Sequence, residues 1–166
     1  MVQGASKEVV GDLKFLVSGL KFLVSGFIDM ATITDFRELR CWQKARVIAK
    51  QVYAITRQGD FAKDFGLRDQ VQRAAVSIGA NIAEGFERDS NQELAKFLSY
   101  AKGSAGEIIS QLYTAFDIGY ISNETLVSMV EQLKRVSALI ARFQATIRRS
   151  PIKGLYYKNS NPPTSN

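Results

Sequence analysis

A chain of 166 residues, 46% of them apolar, is long enough to bury one core and too apolar to stay unfolded. It holds no histidine and one cysteine, which excludes serine and cysteine triads, imidazole-bound zinc, the Glu-x-x-His di-iron pattern and an intrachain disulfide. The net charge of +6 is uneven: residues 1–131 carry 15 basic and 16 acidic side chains, whereas residues 132–166 carry seven basic ones and no acid.

No glycine-rich phosphate loop of the Walker or dinucleotide type is present. Catalysis would have to rest on carboxylates, lysine or tyrosine, so the chain is expected to be no enzyme, with no cofactor and no metal site. The lone Cys41 fits a reducing compartment, and a cytoplasmic location is expected.

In chain order, residues 1–29 stand apart. Leu13–Gly19 and Leu20–Gly26 are the same heptapeptide, Leu-Lys-Phe-Leu-Val-Ser-Gly, copied once in tandem. A single copy of so short a unit resembles a duplication at the DNA level and not a solenoid. The run is interrupted by Lys21, is short for a bilayer span, and has no small-x-small cleavage site before Met30. Residues 1–29 are therefore expected to be an extension, with Met30 a candidate start, residues 30–150 the folded domain and residues 151–166 a disordered tail.

From Phe36 the apolar residues recur every three or four positions, the period of a helix face. Phe36, Leu39, Trp42, Ala45, Ala49 and Val52 predict a first helix reaching about Arg57, which Gln58-Gly59-Asp60 ends. Phe61 to Phe65 reads as a linker. A second helix is expected from about Leu67 to Arg88, with Val71, Ala75, Ile78 and Ile82 inward. Ser90 and Glu93 make a capping box that starts a third. Its inward set is Leu94, Phe97, Leu98, Ala101, Ala105, Ile108 and Leu112, and it stops at Gly119, a left-handed cap. Ser122 caps a fourth, with Leu126, Met129, Val130, Leu133, Val136, Ile140, Phe143 and Ile147 inward, ended by Ser150-Pro151. Short turns force consecutive helices to be neighbours, so the fold expected is all-α: an antiparallel up-down-up-down four-helix bundle.

Two polar patterns stand out. On the second helix Arg73, Ser77, Asn81, Glu84 and Arg88 follow one another at steps of four, four, three and four. One reading is a solvated face or a set of polar side chains satisfied between helices, with Glu107 and Gln111 of the third helix as partners. Gly103 and Gly106, which cost a helix about 1 kcal/mol each, would let the third helix approach its neighbour closely enough for that. The other reading is a functional or self-assembly surface that takes in the same small-residue patch. A Glu84–Glu107 pair in acid–base work is a third, minor reading.

The second pattern is basic. Lys134, Arg135, Arg142, Arg148, Arg149 and Lys153 concentrate the positive excess at the C-terminal end, a footprint that suits a polyanion. Macrodipole compensation at a helix C-terminus is the competing account, and covers only Arg148 and Arg149. Arg142, Arg149 and Lys153 fall at i, i+7 and i+11, with Arg135 seven residues earlier, and so lie near one face. Tyr156 and Tyr157 are the only aromatics close by, which leaves few platforms for base stacking.

A run of motifs ties these patterns together: Phe36-Arg-Glu-Leu-x-x-Trp42-Gln-Lys-Ala45, Phe65-Gly-Leu-x-x-Gln70-x-x-Arg73-Ala-Ala-Val-Ser-Ile78, and Asn81-Ile-Ala-Glu-Gly85-x-x-Arg88-x-Ser90-x-x-Glu93. Phe97-Leu98, Lys102-Gly-Ser104, Gln111-Leu112 and Gly119-Tyr120 follow. Together they resemble the bacterial four-helix-bundle family, also called the 23S rRNA intervening-sequence protein family, over about Phe36 to Ile147. The chain departs at Gly79, where many members carry proline. The resemblance implies a four-helix protomer assembling into a ring, a pentamer favoured. A similar bundle is the accessory protein of diversity-generating retroelements, whose basic ring binds nucleic acid and a reverse transcriptase. The function expected is a non-enzymatic nucleic-acid-associated protein, RNA favoured, that is a homo-oligomer with no membrane role. The alternative is a protein–protein adaptor.

Overall fold

The computed structural model of the chain describes residues 33–88 and 90–149. The duplicated heptapeptide, Met30, Lys153, both C-terminal tyrosines and the tail lie outside them. Four helices carry the described residues: α1 Arg40–Ile55, α2 Phe65–Phe86, α3 Asn91–Asp117 and α4 Asn123–Arg149. There is no strand among the described residues, and no described helix is long and apolar enough to cross a membrane.

Each helix boundary has a local cause. Asp35 accepts the Arg37 backbone N–H and closes a 3-10 turn, Phe36–Glu38, after which Leu39 is extended (ψ 119°). The first helix therefore begins at Arg40, four residues later than the apolar spacing implies, because Phe36 and Leu39 belong to that turn. Phe36 packs edge-on against Trp42 at 5.1 Å. Gly59, with φ 52°, turns the chain into a second 3-10 turn, Gly59–Ala62. The presumed linker is thus structured, and it buries Phe61 fully. Phe61 stacks on Tyr120 at 5.3 Å, tying the α1–α2 connection to the α3–α4 connection. Burial, and then Asp64 close by, push the Tyr120 phenol above its ordinary range.

Asp64 caps α2 by accepting the Leu67 N–H, and Ser90 caps α3 by accepting from Gln92 and Glu93. α3 ends in a Schellman motif: Tyr120 N–H bonds Ala115 O, Gly119 N–H bonds Phe116 O, and Gly119 sits at φ 82°. Ser122 Oγ accepts the Thr125 N–H at the start of α4.

The core is a column of aliphatic side chains. Val71, Ala75, Ile78 and Ile82 of α2 are fully or almost fully buried, as their spacing predicts. On α1 the buried stripe is Cys41, Ala45, Ile48 and Val52, with Trp42 and Ala49 only half-buried at its side. On α4 the stripe runs through Gln144, while Phe143 is half-buried. α2 with α3, and α3 with α4, pack along most of their length; α1 and α4 meet over a shorter stretch.

Two buried polar links cross the bundle. Gln144 Nε2 donates to Ala95 O and to Ser99 Oγ, both at 2.6 Å. Gln72 Nε2 donates to Thr56 Oγ1 (2.8 Å), itself donating to Val52 O, which joins the end of α1 to α2.

Candidate nucleic-acid interface and polar seam

The basic C-terminal helix is a regular α-helix through Arg149, so residues seven apart come within about 20° of one another and rise about 10 Å. Arg135, Arg142 and Arg149 accordingly form one exposed line, facing away from the buried stripe. Arg135 is paired with Glu131 at 3.3 Å, one turn earlier, and both side chains are largely solvated. Such an exposed pair contributes little and is readily exchanged for another anion. Lys134 and Arg148 are exposed as well but sit about 100° round the helix from that line. The structure thus divides the six predicted cations: three in line, two on the flank, and Lys153 outside the described residues.

One cation was not in that set. Lys44 of α1 stands across from the arginine line, on the opposite bank of a groove of about 560 Å³ between α1 and α4. The register of α1 decides this, and a helix begun at Phe36 puts the wrong residues inward. The signal in sequence was the Cys41, Ala45, Ile48, Val52 spacing, which leaves Lys44 beside the buried stripe.

The polar seam of α2 splits in two. In its middle, Asn81 Nδ2 donates to Ser77 O (2.8 Å) and Ser77 Oγ (2.9 Å), and Ser104 of α3 donates to Ser77 Oγ at 3.1 Å. This is the inter-helix satisfaction expected, carried by Ser104 and not by Glu107. At its ends the seam is solvated: Arg73 is exposed, and Glu84 pairs with Arg88 at 2.7 Å in its own helix. The Arg88 guanidinium also lies over Phe97 at 5.3 Å.

Glu107 turns to its own helix, accepting from Gln111 Nε2 at 3.1 Å. With Ser77 opposite Ser104 in an antiparallel pair, Glu84 and Glu107 lie on opposite sides of that contact. Their seven and three residues of offset separate them by roughly 15 Å along the helices. No carboxylate pair forms there, so the acid–base reading of Glu84 and Glu107 falls. Among the described residues, no other helix approaches the glycines of α3 either. A methyl group added at Gly103 or Gly106 would meet nothing within 4 Å, and both are exposed. The close approach expected inside the protomer is absent, and it occurs instead at Gly85, where an added Cβ would come within 2.6 Å of Phe97 Cβ.

The family model described as 23S rRNA-intervening sequence protein matches residues 37–142. The chain belongs to that family. The matched span takes in the α2 seam, Lys44, Arg135 and Arg142, and stops short of Arg148 and Arg149. Among solved structures, a protein of unknown function from the S23 ribosomal protein family of Bacteroides thetaiotaomicron is similar, with a TM-score of 0.59 and 23% identity. The match covers 63% of this chain and 95% of that one, and at this identity it speaks for the shared helical fold alone. No protein of curated function matches the chain in sequence.

Proposed function

We propose that this family member is a non-enzymatic nucleic-acid-associated bundle that takes hold of phosphates with the outer face of α4. The observation that carries the reading is the alignment of Arg135, Arg142 and Arg149 on one exposed face, in a chain with no acid after Glu131. Lys134 and Arg148 widen the patch on one flank, and Lys153 follows in sequence. A line of guanidinium groups about 10 Å apart reaches phosphates along a nucleic-acid backbone with little preference for base. RNA is favoured over DNA because the family's own description refers to 23S rRNA. A cytoplasmic homo-oligomer is part of the proposal, with a pentameric ring favoured.

The test is fluorescence-polarisation binding of the full chain to structured RNA, duplex DNA and a single strand, at 50 and 200 mM salt. With about four phosphate contacts, affinity should fall roughly a hundredfold between the two. A variant with Arg135, Arg142 and Arg149 changed to glutamine should lose most binding and most of that salt dependence. Absence of binding at the lower salt overturns the proposal.

A second reading, a protein adaptor, is favoured by one observation. The outer face of α3 presents Ser99, Gly103, Gly106 and Ser110 with open space over both glycines, and Tyr100 and Tyr113 half exposed beside them. Another backbone reaches such a surface easily.

A further inference from the structure

The groove between α1 and α4 differs in chemistry from the arginine line beside it. Its bottom is aliphatic: Ile48 and Val136 are buried there, and Val47 and Leu139 form its walls. Val47 is 46% exposed, an unusual position for a valine within a bundle. The banks are cationic, with Lys44 on α1 and Arg135 and Arg142 on α4, and among the described residues neither a carboxylate nor an aromatic ring lines the groove. A nucleobase therefore finds no stacking platform, whereas aliphatic side chains find matching apolar surface.

We infer that the groove receives an acidic amphipathic helix from a protein partner. A trough between two helices accepts a third whose apolar stripe lies at i, i+3, i+4 and i+7. The stripe of the incoming helix rests on Val47 and Leu139. Its flanking Asp and Glu side chains meet Lys44 on one bank and Arg135 and Arg142 on the other. The last two are two turns apart, about 10 Å, so carboxylates spaced by seven on the incoming helix reach both. The Glu131–Arg135 pair is exposed and gives way to this exchange without leaving a buried charge. The groove shares Arg135 and Arg142 with the proposed phosphate line, and Arg149, which does not line the groove, separates the two readings.

The test titrates the full chain into a fluorescein-labelled helical peptide of about 14 residues, with leucine at the i, i+3, i+4 and i+7 positions and glutamate at most others. Control peptides keep the composition with leucine at every second position, or carry glutamine for glutamate. The parent peptide should bind, and each control should bind at least about tenfold more weakly. Val47→Asp and Arg142→Gln, both at exposed positions, should each weaken binding by about the same factor while circular dichroism stays unchanged. Arg149→Gln should leave peptide binding unaltered. If Val47→Asp disturbs the fold, Arg142→Gln against Arg149→Gln decides.

Equal binding of the periodic and scrambled peptides overturns the inference. So does single-stranded oligonucleotide binding that Val47→Asp abolishes and Arg149→Gln leaves unaltered, which would assign the groove to nucleic acid. No peptide binding, together with dissociation of a homo-oligomer by Val47→Asp, would assign it to a second copy and overturn it too. Loss of RNA binding alone in the triple arginine variant bears on the previous proposal and leaves this one standing only if the peptide still distinguishes Arg142 from Arg149.

Discussion

Gly79 and Gly85 stand six residues apart on one helix and are held to opposite standards by their neighbours. At Gly79 an added Cβ would lie 3.7 Å from Trp42 Nε1, an ordinary contact, and the helix runs straight through. At Gly85 the same atom would collide with Phe97 and press on Leu94. Gly79→Ala is therefore expected to raise stability by roughly 0.5–1 kcal/mol, the helix-propensity difference. Gly85→Ala is expected to lower it by about 1–3 kcal/mol, the cost of overpacking. Urea unfolding of both variants checks the pair. The sequence shows two helical glycines and gives no means of ranking them, because the difference lies in residues 9 to 12 positions further on.

Cys41 is a second case at this scale. It is 4% exposed in the α1 stripe, where burial pushes its thiol up to about 11 from a reference of 9.0. A raised value means that the folded state holds the proton more tightly. The associated stability is complete below pH 9 and is lost as pH rises toward 11. Two units correspond to roughly 2–3 kcal/mol. Wild-type stability should therefore fall more steeply between pH 9 and 11 than that of Cys41→Ala, which cancels the shared contributions of tyrosine and lysine. Parallel curves would refute the assignment. The same burial should make the thiol react with an aromatic disulfide only as fast as the protein unfolds.

At the scale of elements, the four helices were legible because three signals agreed: apolar period, cap residues and short polar turns. Ser90, Gly119 and Ser122 all act at helix ends as read, while the Asp64 cap of α2 lay unread inside the supposed linker. Two further things were not legible. The start of α1 was hidden because a 3-10 turn places Phe36 and Leu39 at nearly helical spacing. The polar link of α4 was hidden because Gln144 occupies an apolar register, and apolar counting prefers Phe143. The side chain fits since Ala95, small and buried, leaves room beside the start of α3. Gln144→Ala is expected to cost about 1–3 kcal/mol, from lost volume and two lost hydrogen bonds. Gln144→Leu should cost under about 1.5 kcal/mol, because it refills the space and Ser99 keeps its own bond to Ala95 O at 3.2 Å. Equal losses in thermal unfolding would mean that the amide, and not its volume, matters at this position.

For the whole molecule, the sequence located charge well and faces poorly. The concentration of cations from residue 132 to residue 149 is exposed on a single helix, with Arg135, Arg142 and Arg149 in line and Lys134 and Arg148 on one flank. The polar seam does not survive as a unit, since its partners depend on which helix lies opposite each residue. The glycines of α3 carry the largest reinterpretation. A helix of 27 residues that tolerates Gly103 and Gly106 with none of the described residues over them bears a cost of about 2 kcal/mol that no described contact requires. Their removal should thus stabilise the isolated bundle while obstructing whatever approaches from outside. The doubly substituted Gly103→Leu, Gly106→Leu chain is expected to melt higher, or no lower, than wild type when held as a monomer by dilution. If the proposed pentamer forms and does so through the α3 face, sedimentation equilibrium should give about 92 kDa for wild type, five times the 18.4 kDa chain, and a mass near a single chain for the variant. An unchanged mass with raised stability would refute the α3 face as an assembly contact.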